Sequence, residues 1–300
     1  MATVTAEQTA RQRAAAPPAR RSYRWLRRAP IHLVLLVFGL LWLIPTIGLF
    51  VTSLMQPTDF QQQGWWNYLA HPGQLTLDNY RAVFDNQAIM DSLWTTVLVA
   101  VGGTAVPVIV GALAGYAFAW LEFPGRDWIF IIVVALLVVP LQMALIPILK
   151  LYSGASLYGT FLGIWLAHTA FGLPLAIFLL YNFMSQLPRD LFESASIDGA
   201  TAFQTFIRIV LPLSIPALGA FAIFQFLWVW NDLFVALVFI GPGENAPMTV
   251  AIKNNLLSQQ GAGWNLVTAG GFLSMIVPIL VFLALQRFFV RGLTAGAVKG

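Results

Sequence analysis

The strongest constraint in this sequence is a set of six apolar segments, each long enough to cross a lipid bilayer. A helix needs about 20 apolar residues to span a hydrocarbon layer of roughly 30 Å. Only 9% of the residues are charged, whereas about 25% are charged in a soluble domain. The sequence therefore predicts an all-α, polytopic membrane protein with six transmembrane helices, near residues 31–54, 93–120, 128–149, 159–182, 212–240 and 264–289.

Proline and glycine recur inside these segments. Transmembrane helices tolerate them when neighbouring groups re-satisfy the freed backbone, so we expect kinks near these positions. The first segment lacks a clean small-residue cleavage site, which favours a retained anchor over a signal peptide. The kink positions are Pro107, Gly111, Gly115, Pro140, Pro147, Gly172, Pro174 and Pro278.

Positive charge predicts the orientation. With a cytoplasmic N-terminus, thirteen of the 16 Lys and Arg residues lie on the cytoplasmic side, and only Arg81, Lys150 and Lys253 lie on the other. Such a bias is typical of cytoplasmic loops, so both termini are expected to be cytoplasmic. Because the basic residues stand at the ends of apolar segments, the net charge of +4 does not indicate nucleic-acid binding.

The chain is predicted to contain one membrane domain with a tail at each end. Residues 1–30 are rich in Ala and Arg and cannot bury enough surface to fold alone. They are expected to form a disordered basic cytoplasmic tail that contacts anionic lipid, with a specific binding arm as the alternative. The six-helix domain then covers 31–290, and 291–300 form a cytoplasmic C-terminal tail.

The segment 183–211 is polar between two apolar segments. Pro188 and the acidic residues after it favour a helix start, and Gly199 interrupts that helix before a second stretch of apolar residues at helical spacing. A helix, a corner and a second helix are therefore predicted outside the bilayer. The residues alone leave two interpretations open, a docking loop for a partner and a connector lying on lipid headgroups.

This loop carries the pattern E-x-A-x-x-D-G-A from Glu193, followed by F-x-x-I-x-L-P from Phe206. The pattern resembles the EAA motif of the inner-membrane permease subunits of binding-protein-dependent ABC importers, within them the carbohydrate-importing, MalG-like group. The resemblance extends over most of the chain. Ser194 stands where the family usually has its first Ala, and Thr95 stands where the family commonly has an Asn. Further matching segments are 77–80, 115–119, 123–125, 139–142, 230–232, 286–293 and 296–300.

The resemblance implies a type I ABC importer permease fold in a prokaryotic plasma (inner) membrane. It implies that residues 193 to about 205 form a coupling helix that docks on a cytoplasmic ATPase. Two copies of that ATPase would use ATP and Mg, and this chain would bind no cofactor. The coupling residues implied are Glu193, Ser194, Ala195, Asp198, Gly199, Ala200, Phe206, Leu211 and Pro212.

The resemblance also implies a companion permease in a heterodimer, an extracytoplasmic solute-binding protein and a sugar, oligosaccharide or polyol as solute. Polar residues of the loop 241–263 are candidate contacts for the binding protein, with an ordinary solvated loop as the alternative. They are Asn254, Asn255, Gln259 and Gln260.

Five polar or aromatic residues in the apolar segments are candidates for the translocation path. Trp230, Asn231 and Asp232 could bind sugar hydroxyls by stacking and hydrogen bonds, or Asp232 could cap a helix at the membrane boundary. His168 could relay protons or form an ordinary interhelical hydrogen bond. Gln142, close to Pro140, could line the path.

Two other classes of protein compete with an ABC permease. The sequence has no G-x-x-x-x-G-K-[S/T] motif, so transport energy must come from a partner or an ion gradient. A secondary carrier should show repeated halves with broken helices at matching positions, and no such symmetry is visible. An intramembrane enzyme needs a metal cluster or a nucleophile with its base; the chain has no Cys, only three His and no such motif. No metal site is predicted.

Overall fold

The computed structural model describes residues 21–56, 58–59, 62–243, 245–253 and 264–295. Every regular element in these ranges is helical, as the hydropathy pattern predicts. The internal contacts divide the chain into two units, Met1–Val51 and Thr52–Gly300. The described part of the first unit belongs to one helix, α1, which runs over Arg21–Ser53, so that its last two residues are assigned to the second unit.

Helix α1 begins earlier than the predicted boundary. The sequence assigned residues 1–30 to a disordered tail, but residues 21–30 are helical. Arg and Leu are good helix formers, and this stretch holds no glycine. The apolar span therefore continues a helix that has already begun. Residues 1–20 lie outside the described residues.

The second unit contains twelve further α-helices within the described ranges. Two 3₁₀ turns (Pro72–Gln74 and Leu136–Val138), a π segment (Phe206–Val210) and a short α turn (Leu211–Leu213) complete the elements. The helices are α2 (Trp65–Ala70), α3 (Asp78–Asp85), α4 (Gln87–Trp120), α5 (Arg126–Ala135), α6 (Leu141–Gly154), α7 (Phe161–Met184), α8 (Arg189–Ile197), α9 (Ala202–Thr205), α10 (Ile215–Trp230), α11 (Phe234–Phe239), α12 (Met248–Ala251) and α13 (Trp264–Ala295).

Four helices, α1, α4, α7 and α13, are each long and apolar enough to cross a membrane. Two bent pairs, Arg126–Val138 with Leu141–Gly154 and Ala202–Leu213 with Ile215–Trp230, also qualify. Six spans result when each pair is counted as one span. The second pair begins at Ala202, inside the loop 183–211, and ends at Trp230, before the predicted end at 240. Helix α13 continues to Ala295, so the predicted tail boundary at 290 falls inside it, and residues 296–300 lie outside the described residues.

Helices α4 and α7 form the centre of the second unit, and small residues let them approach closely. A Cβ added at Gly111 would lie 2.6 Å from Cβ of Ala176, and one at Gly115 would lie 3.0 Å from Cβ of Leu180. Because lipid tails are as apolar as the helix surfaces, no hydrophobic driving force brings helices together in a membrane. Close packing of this kind holds the bundle together instead. The α4–α7 pair is therefore the central contact of the second unit, and α10 packs on both helices.

The third predicted span is not a kinked helix but a helix pair bent by 108° at residues 139–140. Val139 is extended (φ −71°, ψ 118°) because a residue before proline is disfavoured in the α conformation, and Pro140 has no N–H to continue the ladder. We call residues 136–141 the elbow. The bend lies where a kink is expected, near Pro140, but it divides the span into two helices.

The bent pair nevertheless runs from one end of α7 to the other. The Phe130 ring of α5 lies 4.3 Å from the ring of Tyr181, near the end of α7. After α6, the Gly159 N–H donates to the carbonyl of Phe239, just before α7 begins. Residues 126–154 therefore cross the helix layer, with the elbow about half-way.

The fifth predicted span, 212–240, also differs from a single helix. Helix α10 is bent by 74° from the preceding helix at Ser214, and it ends at Trp230. A separate helix, α11, begins at Phe234. The span is therefore broken at residues 231–233, which include two of the candidate path residues.

The segment 77–80, one of the matches to the family, holds α3 against the end of α1. The Asn79 side chain is buried and donates to the carbonyls of Ser53 (3.0 Å) and Met55 (2.7 Å). The Tyr80 hydroxyl lies 2.7 Å from the Ser53 hydroxyl. Carbonyls at a helix C-terminus have no partner within the helix, so Asn79 supplies the donors that the chain needs where it leaves the span.

Candidate coupling loop and solute path

The first arm of the loop 183–211 is helix α8, and its end explains the spacing of the sequence motif. Gly199 has φ +73°, a left-handed conformation that costs other residues about 1–2 kcal/mol. The Ala200 N–H donates to the carbonyl of Ala195, and the Gly199 N–H to that of Ser196. These two bonds form a Schellman motif. The motif therefore encodes a helix end with a fixed corner.

The small residues of the motif stand where the corner is tight. Ala195 is buried, and its carbonyl accepts from the residue after the glycine. Ser194 keeps the helix intact because its hydroxyl is satisfied locally, 2.9 Å from the carbonyl of Asp190. The replacement of the usual Ala by Ser thus leaves no unpaired group.

The second arm begins directly after the corner. The Thr201 hydroxyl accepts from the Gln204 N–H at 3.3 Å, and the Gln204 side chain accepts from the Thr201 N–H at 2.9 Å. This capping box starts α9, which continues as a π segment from Phe206. The coupling helix implied over residues 193 to 205 is thus two helices, because the chain turns at Gly199. The T-x-x-Q spacing was the sequence signal for this start.

Two aromatic residues near the end of α4 hold both arms, and sequence reasoning did not select them. The Tyr116 hydroxyl donates to the carbonyl of Ala202 at 3.0 Å, and its ring lies 5.2 Å from that of Phe206. The Trp120 indole N–H donates to the carbonyl of Met184 at 2.9 Å. Its ring stacks on Phe192 of α8, with 3.4 Å between ring centroids. The loop is therefore attached to two spans.

The remaining motif residues face away from the spans or border them. Phe206 is buried, Ala200 and Leu211 are half-buried, and Glu193, Ser194, Asp198 and Pro212 are exposed. Two large apolar side chains of the loop are also exposed, Ile197 at 86% and Phe203 at 65%. The loop thus presents a mixed polar and apolar surface around its corner.

Asp232 lies two residues before Phe234, the first residue of α11, and its side chain caps that helix. Its carboxylate accepts from the N–H groups of Val235 at 3.2 Å and Ala236 at 2.8 Å, and its carbonyl accepts from the Thr249 hydroxyl at 2.6 Å. These are the bonds of an N-cap residue. The capping alternative for Asp232 therefore matches the observed geometry.

The two residues before Asp232 differ in exposure. Trp230 is buried, and its indole N–H donates to the carbonyl of Ser274 at 3.1 Å. Asn231 is exposed and donates to the carbonyl of Leu227 at 2.7 Å. In this conformation Trp230 joins α10 to α13 and offers no free face to a solute.

His168 lies inside the bundle with no exposed surface. Its Nε2 atom is 4.0 Å from the carboxylate of Asp232, too long for a hydrogen bond, and neither ring nitrogen has a partner among the described residues. The structure thus brings two of the five path candidates together.

Gln225 is a buried polar residue that sequence reasoning missed. It donates to the carbonyls of Gly103 at 3.1 Å and His168 at 3.4 Å. Gly172 makes room for it, since a Cβ there would lie 2.6 Å from the Gln225 Oε1 atom. A glutamine inside the apolar run 215–230 was the available signal. It ties α10 to both α4 and α7.

Gln142 is exposed in the first turn of α6, directly after the elbow. The candidate binding-protein contacts Asn254, Asn255, Gln259 and Gln260 lie outside the described residues. Within the described ranges, no group of three or more His, Asp or Glu side chains could hold a metal ion.

Residues 107–295 match the family of binding-protein-dependent transport system inner membrane components. The chain belongs to this family. It is a multi-pass inner-membrane component of such a transport system, and the matched range contains the loop 183–211, the elbow and the broken fifth span. The family assignment and the all-α permease fold expected from the sequence are confirmed.

Curated relatives are similar over most of the chain. The osmoprotective compounds uptake permease protein GgtD of Synechocystis sp. is 48% identical to this chain. The alignment covers 93% of this chain and 95% of the relative. The alpha-glucoside transport system permease protein AglG of Rhizobium meliloti is 52% identical to this chain. The alignment covers 76% of this chain and 62% of the relative.

A solved structure shares the fold. It is the crystal structure of a bacterial ABC transporter involved in the import of the acidic polysaccharide alginate, with a TM-score of 0.72 and 23% sequence identity. It covers 91% of this chain and 100% of the matched chain. The two chains therefore share their overall fold.

Proposed function

We propose that the chain is the permease subunit of an ATP-driven importer that moves a sugar, oligosaccharide or related polyol into the cytoplasm. The family membership and the permease fold support the transport role. The solute class is supported by the alpha-glucoside and osmoprotective-compound relatives, since both names describe uptake of small solutes and one names a sugar derivative.

The observation that carries the coupling role is the firmly attached loop 183–211 with an exposed surface. We name it the coupling loop. Its corner is fixed by backbone bonds, its base is fixed by Tyr116 and Trp120, and Ile197 and Phe203 remain exposed. Exposed large apolar side chains beside charged ones are typical of a surface that a partner covers. We infer that a cytoplasmic ATPase subunit covers it.

The transmission of movement follows from these contacts. An ATPase subunit that moves on ATP binding would displace α8 as a rigid body, because the Schellman corner and the capping box leave the two arms little freedom. The stacked Trp120–Phe192 pair and the Tyr116–Ala202 hydrogen bond would pass that displacement to α4. Rigid-body motions of packed helices are an established means of switching access.

The proposed partners complete the transporter. They are a companion permease, two copies of an ATPase that binds ATP and Mg, and an extracytoplasmic solute-binding protein; this chain binds no cofactor. The sequence lacks a phosphate-binding loop, which supports a separate ATPase. We place the coupling loop and both termini in the cytoplasm on the basis of the positive-inside bias.

The test is purification of the tagged chain from its native membrane in mild detergent, followed by identification of the subunits that copurify. We expect a second permease and an ATPase. An Ile197→Asp, Phe203→Asp double variant should lose the ATPase and retain the companion permease. Leu69→Asp is the matched control, because Leu69 is 59% exposed on α2 at the other end of the unit. ATPase retention by the double variant would contradict the docking surface.

A further inference from the structure

His168 is buried inside the bundle with its hydrogen-bonding groups unused. The side chain has no exposed surface, and neither Nδ1 nor Nε2 has a partner among the described residues. A neutral imidazole carries one N–H donor and one acceptor nitrogen, and a buried polar group without a partner costs the free energy of its desolvation. The buried side chains Gln225 and Trp230 of α10 do have partners. The imidazole therefore needs a partner that this conformation does not supply.

The carboxylate of Asp232 is an acceptor almost within reach. Its Oδ2 atom lies 4.0 Å from Nε2 of His168, and only 8% of the Asp232 side chain is exposed. A charge-assisted N–H···O bond is about 2.7–2.9 Å long, so the gap must close by about 1 Å. Oδ2 already accepts from the Ala236 N–H, but a carboxylate oxygen can accept two bonds. Asp232 can therefore accept from His168 and keep its place as the cap of α11.

Helix α10 has a contact that can act as a pivot. Gln225 donates to the carbonyls of Gly103 on α4 and His168 on α7, so α10 is joined to both helices at this level. Towards the coupling loop, the chain is bent at Ser214. At its other end α10 is followed by the non-helical residues 231–233, which we call the break. Short segments of this kind absorb changes of backbone angle when helices move. A tilt of α10 about Gln225 would therefore displace both the bend and the break.

Asp232 would follow such a tilt, whereas His168 would not. The Asp232 N–H donates to the carbonyl of Val229 in α10 at 3.2 Å, so a displacement of the end of α10 is passed to Asp232. His168 belongs to α7 and packs closely against α4, since a Cβ added at Gly103 would lie 3.3 Å from its Cδ2 atom. The distance between the imidazole and the carboxylate therefore depends on the position of α10.

A second unsatisfied group lies at the other end of α10. The Ser214 hydroxyl is buried and has no partner among the described residues, although a serine hydroxyl in a helix can bond to a carbonyl one turn earlier. The Ser214 N–H donates to the carbonyls of Val210 and Leu211, so the backbone of the bend is satisfied while the side chain is not. Each end of α10 thus has a buried polar group beside it that is left unpaired in this position of the helix.

We propose that His168 and Asp232 form a latch, which is open in this structure and closes by a direct hydrogen bond when the ATPase moves the coupling loop and α10. The closed latch joins α7 to the break and holds α10 in its second position. This inference rests on the proposed ATP-driven transport. It gives both residues a positioning role between helices. A water molecule held permanently in the gap is the competing explanation, because it would satisfy the imidazole without any movement.

The test is a double-mutant cycle on the purified complex in two states. The four proteins are the wild type, His168→Leu, Asp232→Ala and the variant with both substitutions. Their thermal midpoints are measured without nucleotide and with ATP plus vanadate, which traps the ATPase with nucleotide bound. The loss of the α11 cap is common to both Asp232→Ala proteins and cancels in the cycle. Asp232→Asn does not serve here, because it keeps an acceptor oxygen for His168.

We expect the midpoint shifts of the two substitutions to add when no nucleotide is bound. In the trapped complex, His168→Leu should lower the midpoint by about 3–6 °C, as for loss of a hydrogen bond to a charged group. It should have no effect where Asp232 is already replaced by Ala. Additive shifts in both states would overturn the latch. Equal non-additivity in both states would also overturn it, because a permanent water bridge gives that result.

Uptake gives a second readout, which does not depend on how the complex unfolds. His168→Leu should lower α-glucoside uptake per ATP hydrolysed about tenfold, because the closed position of α10 is then less populated. Thr169→Val is the matched control: Thr169 is buried next to His168, and its hydroxyl bonds to the Trp165 carbonyl within α7. Wild-type uptake per ATP in the His168→Leu complex would contradict the latch.

The same experiments separate the latch from the proposed function. If the wild-type complex contains no ATPase, or takes up no α-glucoside with ATP, the proposed function itself fails. A wild-type complex that couples uptake to ATP hydrolysis, together with additive midpoint shifts in both states, would reject the latch alone.

Discussion

At the scale of single residues, Gly199 shows how one position fixes the geometry of the coupling loop. A Cβ there would meet no atom within 4 Å, so no steric clash forbids a side chain. The constraint is the positive φ of 73°. Gly199 is therefore required by backbone conformation, and the effect of a substitution should follow the cost of that conformation.

We expect Gly199→Ala to destabilise the corner by about 1 kcal/mol and to lower the uptake per ATP hydrolysed, while Gly199→Asn, which tolerates the left-handed region, has a smaller effect. Gly199→Pro, whose φ is fixed near −65°, should abolish coupled uptake. Gly73→Ala is the control, as Gly73 also has free space but no positive φ. Full transport by Gly199→Pro would contradict the role given to the corner.

Asp232 can be tested in the same way, because a cap and a proton carrier respond differently to substitution. Asn can accept only one of the two backbone bonds, because its second terminal atom is an NH2 donor. Asp232→Asn should therefore keep uptake and lose less thermal stability than Asp232→Ala. Asp232→Ala should cost about 0.5–2 kcal/mol of stability. Thermal unfolding in detergent and uptake in vesicles measure the two effects. Loss of uptake by a stably folded Asp232→Asn protein would indicate a role for the charge.

At the scale of helices, the attachment of the coupling loop to α4 makes a prediction about coupling. Trp120→Leu removes both the stack on Phe192 and the bond to the Met184 carbonyl. We expect at least a severalfold fall in uptake per ATP hydrolysed, since α8 then moves without displacing α4. Trp120→Phe keeps a ring and should be intermediate.

Trp128→Leu provides the control for this experiment, because Trp128 is 73% exposed. Uptake and ATP hydrolysis are measured in the same vesicles, so that a loss of assembly is distinguished from a loss of coupling. A Trp120→Leu transporter with unchanged uptake per ATP would show that the stack does not transmit movement.

The helix scale also shows what the sequence can predict. Hydropathy located four spans closely, because a continuous apolar run of sufficient length has one stable solution in lipid. It did not predict the elbow. Pro107, Pro147, Pro174 and Pro278 lie inside helices that continue past them, whereas Pro140 ends one. The five prolines all lie in apolar sequence, so the local sequence does not tell which of them ends a helix.

Only part of the candidate site could be predicted from the sequence, because some of its contacts join residues that lie far apart in the chain. The residues of the motif that set backbone geometry, Gly199 and Ala195, could be located from spacing. The residues that hold the loop, Tyr116 and Trp120, lie about 80 residues earlier in the chain, and only tertiary packing brings them together. His168 and Gln225 meet through the α7–α10 contact, which no local pattern records.

At the scale of the whole molecule, helix α4 connects the proposed coupling loop with α10, the first part of the broken fifth span. The coupling loop is attached to α4 and α7, and Gln225 joins α10 to the same two helices. Movement of the loop is therefore expected to act on the helices that hold α10. This arrangement suits a subunit that receives energy at one point and uses it at another.

The measurement that tests the central claim most directly is solute uptake by the purified complex in liposomes, with its binding protein and either internal ATP or an ion gradient as the only energy source. We predict uptake of an α-glucoside that requires ATP and the binding protein, is unaffected by collapse of ion gradients, and falls in the Ile197→Asp, Phe203→Asp protein. Uptake driven by an ion gradient without ATP would contradict the account and direct attention to His168 and Asp232 as carrier residues.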